Sequence, residues 1–140
     1  MMSTRRTCDV LVCGAGGFIG GWLVAGLRAA RGLAIRAVDI KPIEQWYQRF
    51  KDVENLTLDL QDRGACERAV AGSVRDVYNL AADMGGIGFI EHSKALCMLS
   101  VLINTHLLMA SRKARVQKYL FASSACVYAA DKQTDPKVTA

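Results

Sequence analysis

Short unbroken apolar runs and longer stretches with apolar residues three and four apart follow one another along the chain. Cys8 to Cys13 (CDVLVC) is a short apolar run ended by glycine, which predicts a buried strand. Phe18 to Arg31 follows with Ile19, Leu23, Leu27 and Ala30 on one helical face. Leu33 to Ile40 is the second strand. Pro42, with its φ preset for a first turn, starts a short helix through Phe50. Asn55 to Leu60 is the third strand, and Asp62 caps a helix to about Ala71. Arg75 to Ala81 is the fourth strand. Phe89 to Ala114 is the longest helix, with Leu96, Leu99, Ile103 and Leu107 at helical spacing, and Gln117 to Ser123 is the fifth strand.

Strands alternating with helices imply an α/β fold, a parallel sheet covered on both faces. Right-handed crossovers then favour a Rossmann-like doubly wound sheet of strand order 3-2-1-4-5. Ligands of such sheets bind beyond the carboxyl ends of the strands, where the strand order reverses. Chemistry is therefore sought in the Gly14 loop, at Asp39 and Asp59, in Leu80 to Gly88, and in Ser123 to Tyr128.

The loop after the first strand is Gly14-Ala-Gly-Gly-Phe-Ile-Gly20. It misses G-x-G-x-x-G, because Ile19 holds the sixth position, but meets G-x-x-G-x-x-G through Gly14, Gly17 and Gly20. Gly14 allows a tight turn, Gly17 lets backbone approach a pyrophosphate, and Gly20 lets helix sit close on strand. The helix N-terminus adds amide hydrogens and partial positive charge. A glycine pattern alone is weak, but this one leaves a strand and opens a helix, the context that a dinucleotide site requires. Asp39 ends the second strand nineteen residues beyond Gly20. Its carboxylate suits ribose hydroxyls and repels a 2′-phosphate, which favours NAD over NADP, although Lys41 lies close by. Asp59 either reaches the adenine edge or caps the following helix.

Composition narrows the class. The chain has 140 residues, 51% hydrophobic and 22% charged, enough apolar material for one domain and too much for disorder. No apolar run approaches the roughly 18–20 residues of a membrane span, and neither a signal peptide nor a membrane partner is expected. The net charge of +5 comes from scattered residues. The densest cluster, Arg112, Lys113, Arg115 and Lys118, reads as a helix end rather than a nucleic-acid patch. Five cysteines lack C-x-x-C spacing and only two histidines are present, so neither a zinc site nor a disulfide framework is expected, and the setting is read as cytoplasmic. Cys8, Cys13, Cys66 and Cys97 read as small buried hydrophobes. His92 and His106 are expected to pack or bond locally.

These motifs resemble the extended short-chain dehydrogenase/reductase (NAD-dependent epimerase/dehydratase) family, over nearly the whole chain from about Asp9 to Asp135. Asn79-Leu-Ala-Ala82 is similar to that family's fourth-strand motif, and Ser123-Ser-Ala-Cys-Val-Tyr128 to its fifth-strand motif. Ala81-Ala-Asp-Met-Gly-Gly-Ile-Gly-Phe-Ile90 and Ala122-Ser-Ser-Ala-Cys-Val-Tyr128 narrow the likeness to the GDP-mannose 3,5-epimerase branch. The resemblance implies that Gly14, Gly17, Phe18, Ile19 and Gly20 cradle the NAD pyrophosphate. Asp39 would hold the ribose, Asp59 and Leu60 flank the adenine, and Leu80, Ala81, Ala82 and Ser123 line the nicotinamide side. Gly85, Gly86 and Ala125 would contact the hexose of a GDP-mannose-class nucleotide sugar. Ser124 would bond the C4 hydroxyl, where transient oxidation occurs, and Cys126 would belong to the acid/base pair that moves protons at C5 and C3. A thiol suits that role if its pKa is brought towards neutrality. Asn104-Thr105 is similar to a position that supports the active site, and the full-length form is expected to be a homodimer.

The same resemblance implies a Tyr and a Lys four residues apart on a helix. Tyr47 to Lys51 lies after the second strand, the wrong place, and Tyr128 to Lys132 starts in the fifth-strand turn, with Asp135-Pro136 soon closing the segment. The true pair is expected beyond Ala140. Residues 1–140 would then be an NAD-binding domain truncated after its fifth strand, with an uncovered edge, a partly stripped long helix and no activity of its own. Two alternatives stay open. One is a non-enzymatic NAD-binding module or inactive truncated product. The other is a basic nucleic-acid-binding or scaffold protein, which only the net charge supports and salt-dependent DNA retention would reveal.

Overall fold

The computed structural model describes residues 8–30, 32–82 and 94–123, side chains 94–97 excepted. The described elements run β1 (Cys8–Cys13), α1 (Phe18–Ala29), β2 (Ile35–Asp39), a 3-10 turn (Ile43–Gln45), β3 (Glu54–Thr57), α2 (Arg63–Ala69), β4 (Val74–Asn79), α3 (Lys94–Lys113) and β5 (Lys118–Phe121). The strands pair in parallel as one five-stranded sheet of order β3-β2-β1-β4-β5, the expected doubly wound arrangement.

Register brings the strand ends together. Cys13 stands opposite Val38 and Asn79, Asp39 opposite Thr57, and Asn79 opposite Phe121. The loops that leave these residues therefore share one edge of the sheet.

The central strands are apolar on both faces because both are covered. Along β1, Val10 and Val12 point to the layer that holds Val24, Ile35, Ala37 and Trp46. Leu11 and Cys13 point to the other, with Cys66, Ala69, Val77, Ile103 and Leu107. Arg36 is one of four buried polar residues among the described ones, with Asp39, Asn79 and Ser111. Its guanidinium pairs with Glu54 at 2.7 Å and donates to the carbonyls of Ala69 and Ala71 at 2.8 and 2.7 Å, which ties the end of α2 to β2. Asp62 caps α2 as expected, its carboxylate accepting from the Ala65 amide at 2.7 Å.

Several expected features are corrected. Ile19 is 71% exposed, not buried. Leu23 and Leu27 pack against the core as expected, but the buried residues of α1 are Gly20, Gly21 and Val24, because Gly20 has to meet the loop below it and turns that face in. The helix expected from Pro42 to Phe50 is only the 3-10 turn. Trp46 ends it by burying its ring and donating from Nε1 to the Lys41 carbonyl at 2.9 Å. The third strand stops at Thr57, before Asp59 turns the chain by accepting from the Gln61 amide at 2.9 Å. The fourth strand stops at Asn79 and the fifth at Phe121. Of the basic cluster, Arg112 and Lys113 close α3, whereas Lys118 opens β5.

Among the described residues β5 is a sheet edge, and Leu120 and Phe121 are exposed. The outer side of α3 exposes Met98, Val101, Leu102, Leu108 and Met109. No helix among the described residues is long and apolar enough to cross a membrane.

Candidate cofactor site

The chain leaves β1 at Gly14, which has φ of +80° and sits against the backbone of Leu80. A Cβ there would stand 2.8 Å from the Leu80 carbonyl carbon, so both conformation and space demand glycine. The Gly14 and Ala15 amides donate to the Val38 carbonyl at 2.8 and 3.0 Å, which fixes the loop across the end of β2. Gly16 donates its amide to Asp39 Oδ2 at 2.9 Å and packs under the Trp46 ring. A Cβ on Gly20 would overlap the Gly14 carbonyl oxygen. Gly17 differs from these three. It is the N-cap of α1, its φ is −82°, and the nearest atom to an added Cβ is the Gly14 oxygen at 3.5 Å. No side chain caps the helix there, so its first turn presents backbone amides and the positive end of the helix dipole.

Asp39 is the buried acid of the site. Its second oxygen accepts from the Lys41 amide at 3.0 Å, so the carboxylate is held between the loop and the turn after β2. It therefore does cap its turn, and at the same time it faces a cleft of about 290 Å³ over the strand ends. Of the expected cofactor residues, Gly14, Gly17, Asp39, Asp59, Leu60, Leu80, Ala81 and Ala82 line this cleft. Phe18, Ile19, Gly20 and Ser123 are not among its lining residues. Phe18 instead meets Tyr47 edge to face, ring centres 4.9 Å apart, and Ser123 is exposed past the end of β5. Gly85, Gly86, Ser124, Ala125 and Cys126 lie outside the described residues, as do His92 and the Tyr128–Lys132 spacing. Tyr47 and Lys51 stand on irregular backbone, not on one turn of helix.

The floor of the cleft towards β4 rests on a polar cluster. Buried Asn79 donates from Nδ2 to Asn104 Oδ1 and to the Tyr119 hydroxyl, both at 3.1 Å. Tyr119 donates its hydroxyl proton to Asn104 Oδ1 at 2.9 Å. Thr105, beside Asn104, turns away and bonds the Val101 carbonyl of its own helix. His106 reaches farther than expected. Its Nδ1 lies 2.9 Å from the Gln61 carbonyl, so that nitrogen carries the proton and ties α3 to the turn after β3.

Cys8, Cys13 and Cys66 are buried, as small hydrophobes would be. Burial pushes the Cys13 thiol far up and the Cys66 thiol up to about 11, so both stay protonated and unreactive at neutral pH.

Sequence reasoning missed Gly16, Trp46 and Tyr119. Gly16 was visible as a glycine outside the pattern. Nothing near Trp46 or Tyr119 in the sequence announces their partners.

The family model described as "NAD dependent epimerase/dehydratase family" matches residues 10–140. GDP-mannose 3,5-epimerase 1 of Oryza sativa subsp. indica is 37% identical over 131 residues, 93% of this chain and 34% of the relative. GDP-mannose 3,5-epimerase of Arabidopsis thaliana is 33% identical over 127 residues, 90% of this chain and 33% of the relative. The chain thus spans about a third of the length of the curated relatives it matches. Among solved structures, UDP-glucose 4-epimerase of Thermus thermophilus in complex with NAD superposes with a TM-score of 0.72 at 31% identity, covering 83% of this chain and 37% of that one.

Proposed function

The chain belongs to the NAD dependent epimerase/dehydratase family, and we propose that it is the NAD-binding N-terminal part of a nucleotide-sugar epimerase of the GDP-mannose class. The observation that carries the reading is the division among the loop's glycines. Gly14, Gly16 and Gly20 are each demanded by neighbouring protein atoms, and Gly17 is not. A glycine left free of internal demands at an uncapped helix N-terminus gives room to a group from outside, and the pyrophosphate of a dinucleotide suits that place.

With the pyrophosphate at Gly17, the buried Asp39 carboxylate receives the adenosine ribose hydroxyls, and Asp59 and Leu60 flank the adenine. Leu80, Ala81, Ala82 and Ser123 then serve the second nucleoside, on the β4 side of the switch point. Phe18, Ile19 and Gly20 contribute backbone rather than side chains. NAD, when bound, supplies reversible hydride acceptance at the sugar C4. Oxidation there acidifies the hydrogens on C3 and C5, so a modest base suffices to move them. Ser124 is proposed to hydrogen-bond the C4 hydroxyl, Gly85, Gly86 and Ala125 to contact the hexose, and Cys126 to exchange the protons. The 37% and 33% identities to GDP-mannose 3,5-epimerases support the choice of sugar nucleotide. A cytoplasmic homodimer is proposed on the same likeness.

The test is solvent-deuterium incorporation at C3 and C5 of GDP-mannose, read by mass spectrometry, with the longest polypeptide that contains this chain. Cys126→Ser is expected to abolish incorporation and spare NAD binding. No incorporation by the unmutated protein, or undiminished incorporation in Cys126→Ser, would overturn the assignment.

A further inference from the structure

The ring of hydrogen bonds among Asn79, Asn104 and Tyr119 costs desolvation that three apolar side chains would avoid. It also joins three elements that are far apart in sequence: the end of β4, the middle of α3 and β5. The other polar atom of the Asn79 amide reaches a residue of the cleft. Asn79 Oδ1 accepts from the Ala81 amide at 3.2 Å, and Ala81 lines the cofactor cleft. The orientation of the Asn79 amide follows from these partners, because turned over it would set its own donors against the Ala81 N–H. Both Nδ2 hydrogens are used, the Tyr119 oxygen accepts one bond and donates one, and Asn104 Oδ1 accepts two. Burial pushes the Tyr119 phenol up to about 12, against the lowering effect of the Asn79 donor, so the hydroxyl keeps the proton it gives to Asn104. On either side the same backbone is anchored again. The Leu80 amide donates to the Cys13 carbonyl at 3.0 Å, and the Ala122 amide to the Asn79 carbonyl at 3.0 Å.

We propose that Asn79, Asn104 and Tyr119 are positioning residues for the cofactor cleft: through Asn79 they fix the Leu80–Ala82 backbone, and thereby the affinity for the nucleoside on the far side of the pyrophosphate from Asp39. The proposal rests on the NAD reading and deepens it. Asp39 and Asp59 stand at the ends of β2 and β3, so a dinucleotide whose adenosine lies there carries its other nucleoside over the end of β4. Ile103, next to Asn104 on α3, lines the same cleft.

The experiment measures calorimetric affinities for NAD and for ADP, which carries the adenosine and pyrophosphate alone, on this chain and on Asn79→Leu and Tyr119→Phe. Asn79→Leu is expected to lose about tenfold in NAD affinity, as loss of a buried hydrogen bond implies, with ADP affinity unchanged. Tyr119→Phe is expected to lose less in the same direction, and it carries the test alone if Asn79→Leu does not fold by circular dichroism. A purely structural role would weaken both ligands in parallel or neither. An unaltered NAD-to-ADP ratio in a folded variant overturns the positioning role and leaves the cofactor reading standing. Binding of neither nucleotide by the unmutated chain overturns both.

Discussion

Two alanine substitutions three residues apart in the glycine loop should have opposite effects. At Gly17 the new methyl would find its nearest neighbour, the Gly14 oxygen, at 3.5 Å, an ordinary contact. The backbone there has φ −82° and ψ 174°, which alanine adopts freely. Alanine is a poorer N-cap than glycine by roughly 0.5–1 kcal/mol. It also removes about 0.4–1 kcal/mol of unfolded-state entropy. The two effects nearly cancel, so Tm should move by no more than about 2–4 °C. NAD affinity should fall at least about tenfold, or about 1.4 kcal/mol, because the methyl takes the place of the pyrophosphate. At Gly20 the methyl would overlap the Gly14 carbonyl oxygen and stand 2.8 Å from the Ala15 Cα. Backbone cannot rotate out of the way, so α1 must lift from the loop, at a cost of about 1–3 kcal/mol or more. Thermal melts paired with calorimetric NAD titrations separate the cases. Gly17→Ala should melt like the unmutated chain and bind NAD at least about tenfold more weakly, while Gly20→Ala should melt several degrees lower. Undiminished NAD binding by Gly17→Ala would refute the reasoning.

Arg36→Met removes a buried guanidinium and leaves the buried Ala69 carbonyl without its donor, while Ala71 and Glu54 are open to water, so it should cost about 1–3 kcal/mol by denaturant unfolding; a loss under about 1 kcal/mol would show that water replaces the buried bond as well. Alkaline pH should destabilise the chain partly through Tyr119, whose phenol is raised from its ordinary 10 to about 12 by burial. Below pH 10 both states hold the proton and the contribution is constant. Between pH 10 and 12 the unfolded state gives it up first, so stability falls as pH rises. Denaturant midpoints across that window should fall less steeply in Tyr119→Phe, and equal slopes would contradict the burial argument.

The architecture was legible because strand-like segments alternate with helical patterns along the chain, which leaves few topologies. The glycine loop and Asp39 were legible because the phosphate site is built from neighbouring residues on one strand–loop–helix unit. What the sequence hid are contacts made by fold alone. Pro42 suggested a helix, but the Trp46 ring found a better place against Gly16 and stopped it after one turn. Ile19 fits a helical apolar face, yet the contact of Gly20 with Gly14 decides which face turns inward. The bond from His106 to Gln61 and the ring of Asn79, Asn104 and Tyr119 join positions that no periodicity links. Asn79 and Asn104 were visible only through resemblance, and Tyr119 looked like one more residue of an edge strand.

The central claim, that a dinucleotide lies across these strand ends with its adenosine ribose on Asp39, is tested most directly by titrating the chain with NAD and with NADP in parallel. Asp39 is buried, already bonded to the Gly16 and Lys41 amides, and faces the cleft with Asp59 nearby. A 2′-phosphate brought to that carboxylate would meet like charge in a partly desolvated place, which Lys41 at the rim offsets only in part. The account predicts saturable NAD binding with NADP at least about tenfold weaker. NADP binding as tight as NAD, or tighter, would contradict it.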